Sequence, residues 1–387
     1  MTVSRLRWVI APIIVTMLVV AVVAAGASAG IAKQGRTAAT PDLAYVSAQI
    51  AKYKQIPKFI PAGPAFNARK GAGKTIFTMP ITSAIPYINQ TDQAMAKIAK
   101  RYGYNWIEFP NQGSPAQWVQ GMEQAIAKKV DLIVLQGAPV PQLLVPQLAA
   151  AKAAGIPVLL SHIIDVTGAC PTSLVNACVK APFNQSGRLE ADWVIQQSKG
   201  NATTLVITSS EVLPSDGIVA SIQNEFSTRC GAGCNVKVIN VPVADWFSPA
   251  GGLAVQAALN ANPDMKYVIP IYDSQSFFAV PAITAAGKAS SVKIATYNGT
   301  PGVMKFLADG NVVAMEAGEN LDWLASAFMD QAMRMLTGAP LIKNGIANTP
   351  LRVFDASNIA DAGSPPAQSK GYGKAYYLGY AKLWAGK

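Results

Sequence analysis

Few residues in this chain are of the types that do chemistry, and their spacing excludes most of what they could do. There is one histidine, His162, and there are four cysteines, Cys170, Cys178, Cys230 and Cys234. A zinc site needs clustered Cys and His ligands. No C-x-x-C pair exists and His162 lies far in sequence from Cys230, so neither a metal nor a cofactor is expected. Gly26-Ala27-Ser28-Ala29-Gly30 matches the G-x-S-x-G nucleophile elbow, but an elbow needs a strand before the serine and a helix after it. This copy sits in an apolar leader. Gly73-Lys74-Thr75 has the ending of a phosphate-binding loop, yet the glycine that should open the loop falls on Ala68, and the residues after Thr75 continue as strand. Hydrolysis would rest on a carboxylate pair such as Asp273 with Glu316. The chain is not expected to be an enzyme.

The cysteines speak of a compartment. Arg5 and Arg7 precede an uncharged run from Trp8 to Ala32 that ends in small residues, with Ala27-Ser28-Ala29 in the A-x-A arrangement of a signal-peptidase site. The chain is therefore expected to be exported, periplasmic or at the cell surface, with residues 1–29 a signal peptide or an uncleaved anchor. An even number of cysteines in an oxidising compartment suggests two disulfides, and local pairing gives Cys170 with Cys178 and Cys230 with Cys234, although four cysteines allow three connectivities.

The chain of 387 residues is 51% hydrophobic and 14% charged, enough apolar material for two domains and too little charge for disorder. Lys and Arg exceed Asp and Glu by 11, but they are scattered, with short groups such as Lys97-Lys100-Arg101 at predicted helix ends. No nucleic-acid motif accompanies them, and no nucleic-acid partner is expected.

The elements that must position a site alternate. Residues 30–72 read as a leader, with a possible helix over Asp42 to Lys54 and then a proline-rich spacer. From Lys74 short apolar strands (TIFTM, WIEF, DLIVL, PVLLS) alternate with helical patterns over Thr91 to Tyr102, Pro115 to Lys128 and Pro141 to Ala154. After the Cys170 loop a second series begins, with helices over Gln185 to Ser198, Ser215 to Thr228, Pro249 to Asn260 and Ser276 to Gly287 between TLVITS, VKVINV, YVIPI and VKIATY. A long helix over Leu321 to Leu336 follows VVAMEA. The fold class is α/β with two doubly wound parallel-sheet domains.

In open parallel sheets ligands sit beyond the carboxyl ends of the strands. The residues there are Thr82, Tyr87, Gln136, His162, Ser210, Trp246, Tyr272, Asp273, Asn298 and Glu316. Polar tips and aromatic plates suit a neutral hydroxylated ligand. Each has a structural alternative: a lone histidine commonly satisfies an internal bond, Trp246 fits a core, and Asp273 is placed to cap the following helix.

An ordered set of segments, RYGYNW, NQGSPAQWVQGMEQAIAKKVDLIVL, AAKAAGIPVLL, ALNANPDMKYVIPIYD and KIATYNGTPGVMKFLADGNVVAM, resembles the type I periplasmic solute-binding proteins of the ribose-binding kind. With the opening strand, the resemblance runs from Lys74 to Met315. It implies two lobes joined by a three-strand hinge, closing as a monomer on a solute in the cleft and delivering it to the membrane permease of an ABC transporter. The implied lobes are 73–181 plus 320–345 and 182–319 plus 346–387. It also implies that Trp246 matches an aromatic that stacks on sugar. The sequence departs from the family where sugar contacts are usual: His162-Ile163 stands for Asp-Arg, Tyr272-Asp273 for Asn-Asp, and Asn298 for Asp. These changes point to a small neutral sugar or polyol-like solute. The alternatives are a membrane-anchored sensory receptor, or a binder of a hydroxylated aromatic or a nucleoside.

Overall fold

The computed structural model describes residues 40–137 and 140–386; the leader expected over 1–29, and residues 30–39 of the spacer, lie outside them. The described chain opens with α1 (Leu43–Lys54), capped by the Asp42 side chain, which accepts from the Tyr45 amide at 3.2 Å. Five parallel strands follow: β1 (Thr75–Pro80), β2 (Asn105–Glu108), β3 (Leu132–Gln136), β4 (Val158–Asp165) and β5 (Ala177–Ala181), in the order β2-β1-β3-β4-β5. Between them run α2 (Pro86–Tyr102), α3 (Pro115–Ala127) and α4 (Val145–Ala153). Strand alternation explains the layers. Ile76 faces a core shared with Met95 of α2, whereas Phe77 and Met79 face one shared with Met122 of α3.

The second sheet comprises β6 (Ala202–Thr208), β7 (Cys234–Asn240), β8 (Tyr267–Pro270), β9 (Lys293–Asn298), β10 (Val313–Gly318) and β11 (Arg352–Asp355). Their order is β11-β10-β9-β8-β6-β7, with β11 antiparallel to β10. Its helices are α5 (Phe183–Ser198), α6 (Ser215–Glu225), α7 (Pro249–Ala261), α8 (Ser276–Ala285) and α9 (Pro301–Ala308). Three connections, at 181–183, 318–321 and 337–352, join the lobes, because α10 (Leu321–Thr337) returns to pack on α2 of the first. Both disulfides are present, Cys170 with Cys178 and Cys230 with Cys234.

Two segments sit differently from the sequence expectation. Residues 40–72 are no detached spacer. Val46 and Ile50, four apart on α1, are buried against the second lobe at α5 and β11. Further on, the Phe59 ring lies 4.9 Å from Tyr380 and 6.0 Å from Trp323, and the Pro64 carbonyl accepts from Arg334 at 2.9 Å. The tail also divides. β11 joins the second sheet, but α11 (Ala375–Trp384) packs on α10, with Trp384 Nε1 donating to Asp330 at 2.7 Å. Its Gly- and Pro-rich approach hid the helical spacing of Tyr376, Tyr380 and Leu383, all buried.

Candidate functional site

In each sheet the strand order reverses once, between β1 and β3 and between β6 and β8, and such a reversal leaves a crevice beyond the strand ends. The two crevices face each other. Ile81 and Gly137 follow β1 and β3; Val212 and Tyr272 follow β6 and β8; all four line one cavity of about 50 Å³.

Five of the ten strand-end residues singled out in the sequence line it: Tyr87, His162, Trp246, Tyr272 and Asn298. His162 interrupts the β4–β5 pairing, which is irregular between Ser161 and Asp165, and adopts φ 55°. Its Nε2 lies 2.9 Å from the Tyr87 hydroxyl, 2.9 Å from Glu319 Oε2 and 3.3 Å from the Tyr297 hydroxyl. Tyr87 donates its own proton to Glu319 Oε2 at 2.5 Å, so its oxygen accepts from His162 and the imidazole carries a hydrogen on Nε2. Burial above all, and then the neighbouring Glu319 carboxylate, hold the Tyr87 hydroxyl well above its ordinary range; the Asn298 amide acts in the opposite sense. The network ties α2 and β4 of the first lobe to β9 of the second and to the connection at 318–321.

Asn298 ends β9 with φ 144°, followed by Gly299 at φ 95°. A Cβ on Gly299 would stand 2.6 Å from the Glu319 carbonyl, so this turn requires glycine. Two buried carboxylates hold it. The Gly299 amide donates to Glu316 at 2.8 Å, and Thr300 donates to Asp273 from its amide at 2.6 Å and its hydroxyl at 2.8 Å. Burial pushes the Asp273 carboxyl up to about 7 against the pull of the Thr300 hydrogen bonds. Burial, and then Asp273, push Glu316 well up as well. Trp246 donates from Nε1 to Ser209 at 2.9 Å, its ring 5.9 Å from that of Tyr272, whose hydroxyl lies 3.0 Å from Ser215 Oγ.

The other five do not line the cavity. Asp273 and Glu316 lie beneath the Asn298 turn, fully buried, as its scaffold. Thr82, after β1, donates to the carbonyl of Asn111, after β2, at 3.3 Å. Gln136 is buried beneath the cavity with its amide on the Ile88 carbonyl at 3.3 Å. Ser210 is exposed on the surface, its amide held by Asn240 at 2.7 Å. In their place stand residues the sequence reading passed over. Ile81, Ile85 and Ile88 come from the first lobe, Val212, Pro214 and Val243 from the second, and Phe183 from the first connection. Their signal was position: each lies within eight residues of the end of a strand. Among the described residues no three His, Cys, Asp or Glu side chains cluster as a metal site would require.

Comparison with known proteins points the same way. The model of the periplasmic binding protein domain family matches residues 76–340. The D-ribose/D-allose-binding protein of Pseudomonas aeruginosa is 26% identical over 244 residues, 61% of this chain and 73% of that protein. The D-apiose import binding protein of Actinobacillus succinogenes is 24% identical over 259 residues, 66% of this chain and 79% of that protein. Among solved structures, an ABC transporter solute-binding protein from Bacillus halodurans with bound myo-inositol superposes with a TM-score of 0.66 at 16% identity, covering 76% of this chain and 99% of that one.

Proposed function

The chain belongs to the periplasmic binding protein family, and from that premise we propose that it captures a small neutral sugar or polyol-like solute for an ABC importer. The observation that carries this reading is the cavity at the two facing switch points, lined by aromatic rings, aliphatic side chains and a few polar groups, with no Asp, Glu, Lys or Arg among its described lining residues. A charged solute would have to leave water for a lining that offers it no Asp, Glu, Lys or Arg side chain, at a cost of several kcal/mol. A neutral polyol meets no such penalty. Its C–H faces pack on Trp246, Phe183 and Tyr272, and its hydroxyls find the Asn298 amide. The names of the curated relatives, which bind or import ribose, allose and apiose, support a carbohydrate solute. The two disulfides support a place outside the cytoplasm.

A thermal-shift panel of sugars, sugar alcohols, nucleosides and hydroxylated aromatics tests the proposal. A cognate solute at 100 times its dissociation constant stabilises the folded state by about 2.7 kcal/mol. Stabilisation by nucleosides or hydroxylated aromatics, with none by any sugar or sugar alcohol, would overturn it.

A further inference from the structure

We propose that the cleft selects, among neutral sugars and polyols, those in which a hydroxyl is replaced by hydrogen or left as a methyl end: deoxy sugars and methyl-ended polyols. The inference rests on the solute-binding reading above and narrows it.

Hydroxyls buried in a closed cleft need partners, and most polar groups here are already committed to the protein. Trp246 Nε1 donates to Ser209, and the Tyr272 hydroxyl pairs with Ser215. The Tyr87 proton points at Glu319 while its oxygen accepts from His162. Ser274 donates to Asp273 at 3.3 Å, and the Gly137 amide donates to the Ser161 carbonyl at 3.0 Å. The Asn298 carboxamide offers two donors and an acceptor oxygen, of which Tyr87 takes at most one. Together with the lone pair left on Ser274, it forms a polar edge.

That edge is confined to one side. Ser274 follows β8 and Asn298 ends β9, on the side of the sheet toward β10 and the 318–321 connection, whereas the Tyr272 hydroxyl is spent on Ser215 on the β6 side. Val212 and Pro214 follow β6, and Val243 follows β7 at the far edge of the sheet; Ile81, Ile85 and Ile88 line the cavity from the first lobe. These six side chains carry no donor or acceptor. A hydroxyl placed against them loses its water and gains nothing, whereas a methyl or methylene gains burial.

Calorimetric titration with matched pairs tests this: L-fucose against L-galactose, L-rhamnose against L-mannose, and 5-deoxyribose against ribose. The deoxy member of the recognised pair is expected to bind tenfold to about a hundredfold tighter, the limit an apolar pocket reaches against an added hydroxyl. Val212→Thr and Val243→Thr, nearly isosteric at partly exposed positions, should each shrink that ratio at least threefold by supplying a partner. Equal or tighter binding of the parent sugar would overturn the inference and leave the solute-binding reading standing. Absence of heat from all six sugars, with stabilisation by nucleosides or hydroxylated aromatics alone in the thermal panel, would overturn both.

Discussion

The two ends of the cleft are built from opposite materials. At the end next to the lobe connections, Tyr87, His162, Tyr297 and Glu319 form a buried hydrogen-bonded network between the lobes. At the outer end Ile81, Ile85, Val212 and Val243 present only hydrocarbon. The difference teaches that a polar residue at a strand end is not thereby a solute contact. Where polar tips from both lobes meet, they satisfy each other. What a solute encounters is set by the groups left uncommitted and by the apolar surface around them.

The largest expected effect comes from breaking the network. His162→Ala removes the imidazole against which Glu319 and the Tyr87 oxygen are satisfied, leaving buried groups without partners and a space beside Phe183, whose ring lies 4.8 Å away. Urea denaturation should show a loss on the order of 3 kcal/mol. Val243→Thr at the outer end should cost less than about 1 kcal/mol, as a partly exposed substitution. Equal effects at the two ends would remove the distinction between them.

A pH-dependent effect comes from the carboxyls under the polar edge and in the lobes. Burial is the main cause that raises Asp92 to about 8, Asp192 to about 8 and Asp273 to about 7, with Glu108 and Glu225 adding to the first two. Each folded-state value lies above that of the unfolded chain, so the folded state holds these protons more tightly. Their contribution to stability is full below about pH 4 and is lost as pH rises toward 7 to 8. The melting temperature should therefore fall steadily between pH 5 and pH 8. Asp273→Asn, which removes one of these titrations, should flatten that slope. A profile that rises over this range, or one unchanged by the substitution, would contradict the assignment.

Much of this was legible in the sequence and some was not, for physical reasons. Continuous apolar strands between amphipathic helices gave both sheets, because strands covered on both faces leave no other pattern. The cysteine spacing gave both disulfides. The helix over 86–102 read short, because Tyr87 and Ile88 precede the polar stretch Asn89-Gln90-Thr91, and their burial comes from the cleft and not from the helix's own stripe. Asp273 and Glu316 stood at the right strand ends, but the tight Asn298-Gly299-Thr300 turn has amides that need acceptors, and these two carboxylates supply them. The aliphatic wall was missed because Ile and Val near strand ends look like core until the facing lobe is in place.

The most direct test of the account is the affinity of a recognised neutral solute for the wild-type protein and for Trp246→Ala, Asn298→Ala and Trp193→Phe, measured by calorimetry. Asn298→Ala removes the main uncommitted hydrogen-bonding group and should weaken binding roughly five- to hundredfold. Trp246→Ala removes the stacking surface and should cost at least as much. Trp193 is buried on α5 against Tyr267, its ring 6.3 Å from that neighbour and outside the cavity lining, so Trp193→Phe should leave affinity unchanged. Full affinity in both Trp246→Ala and Asn298→Ala would show that the solute binds elsewhere.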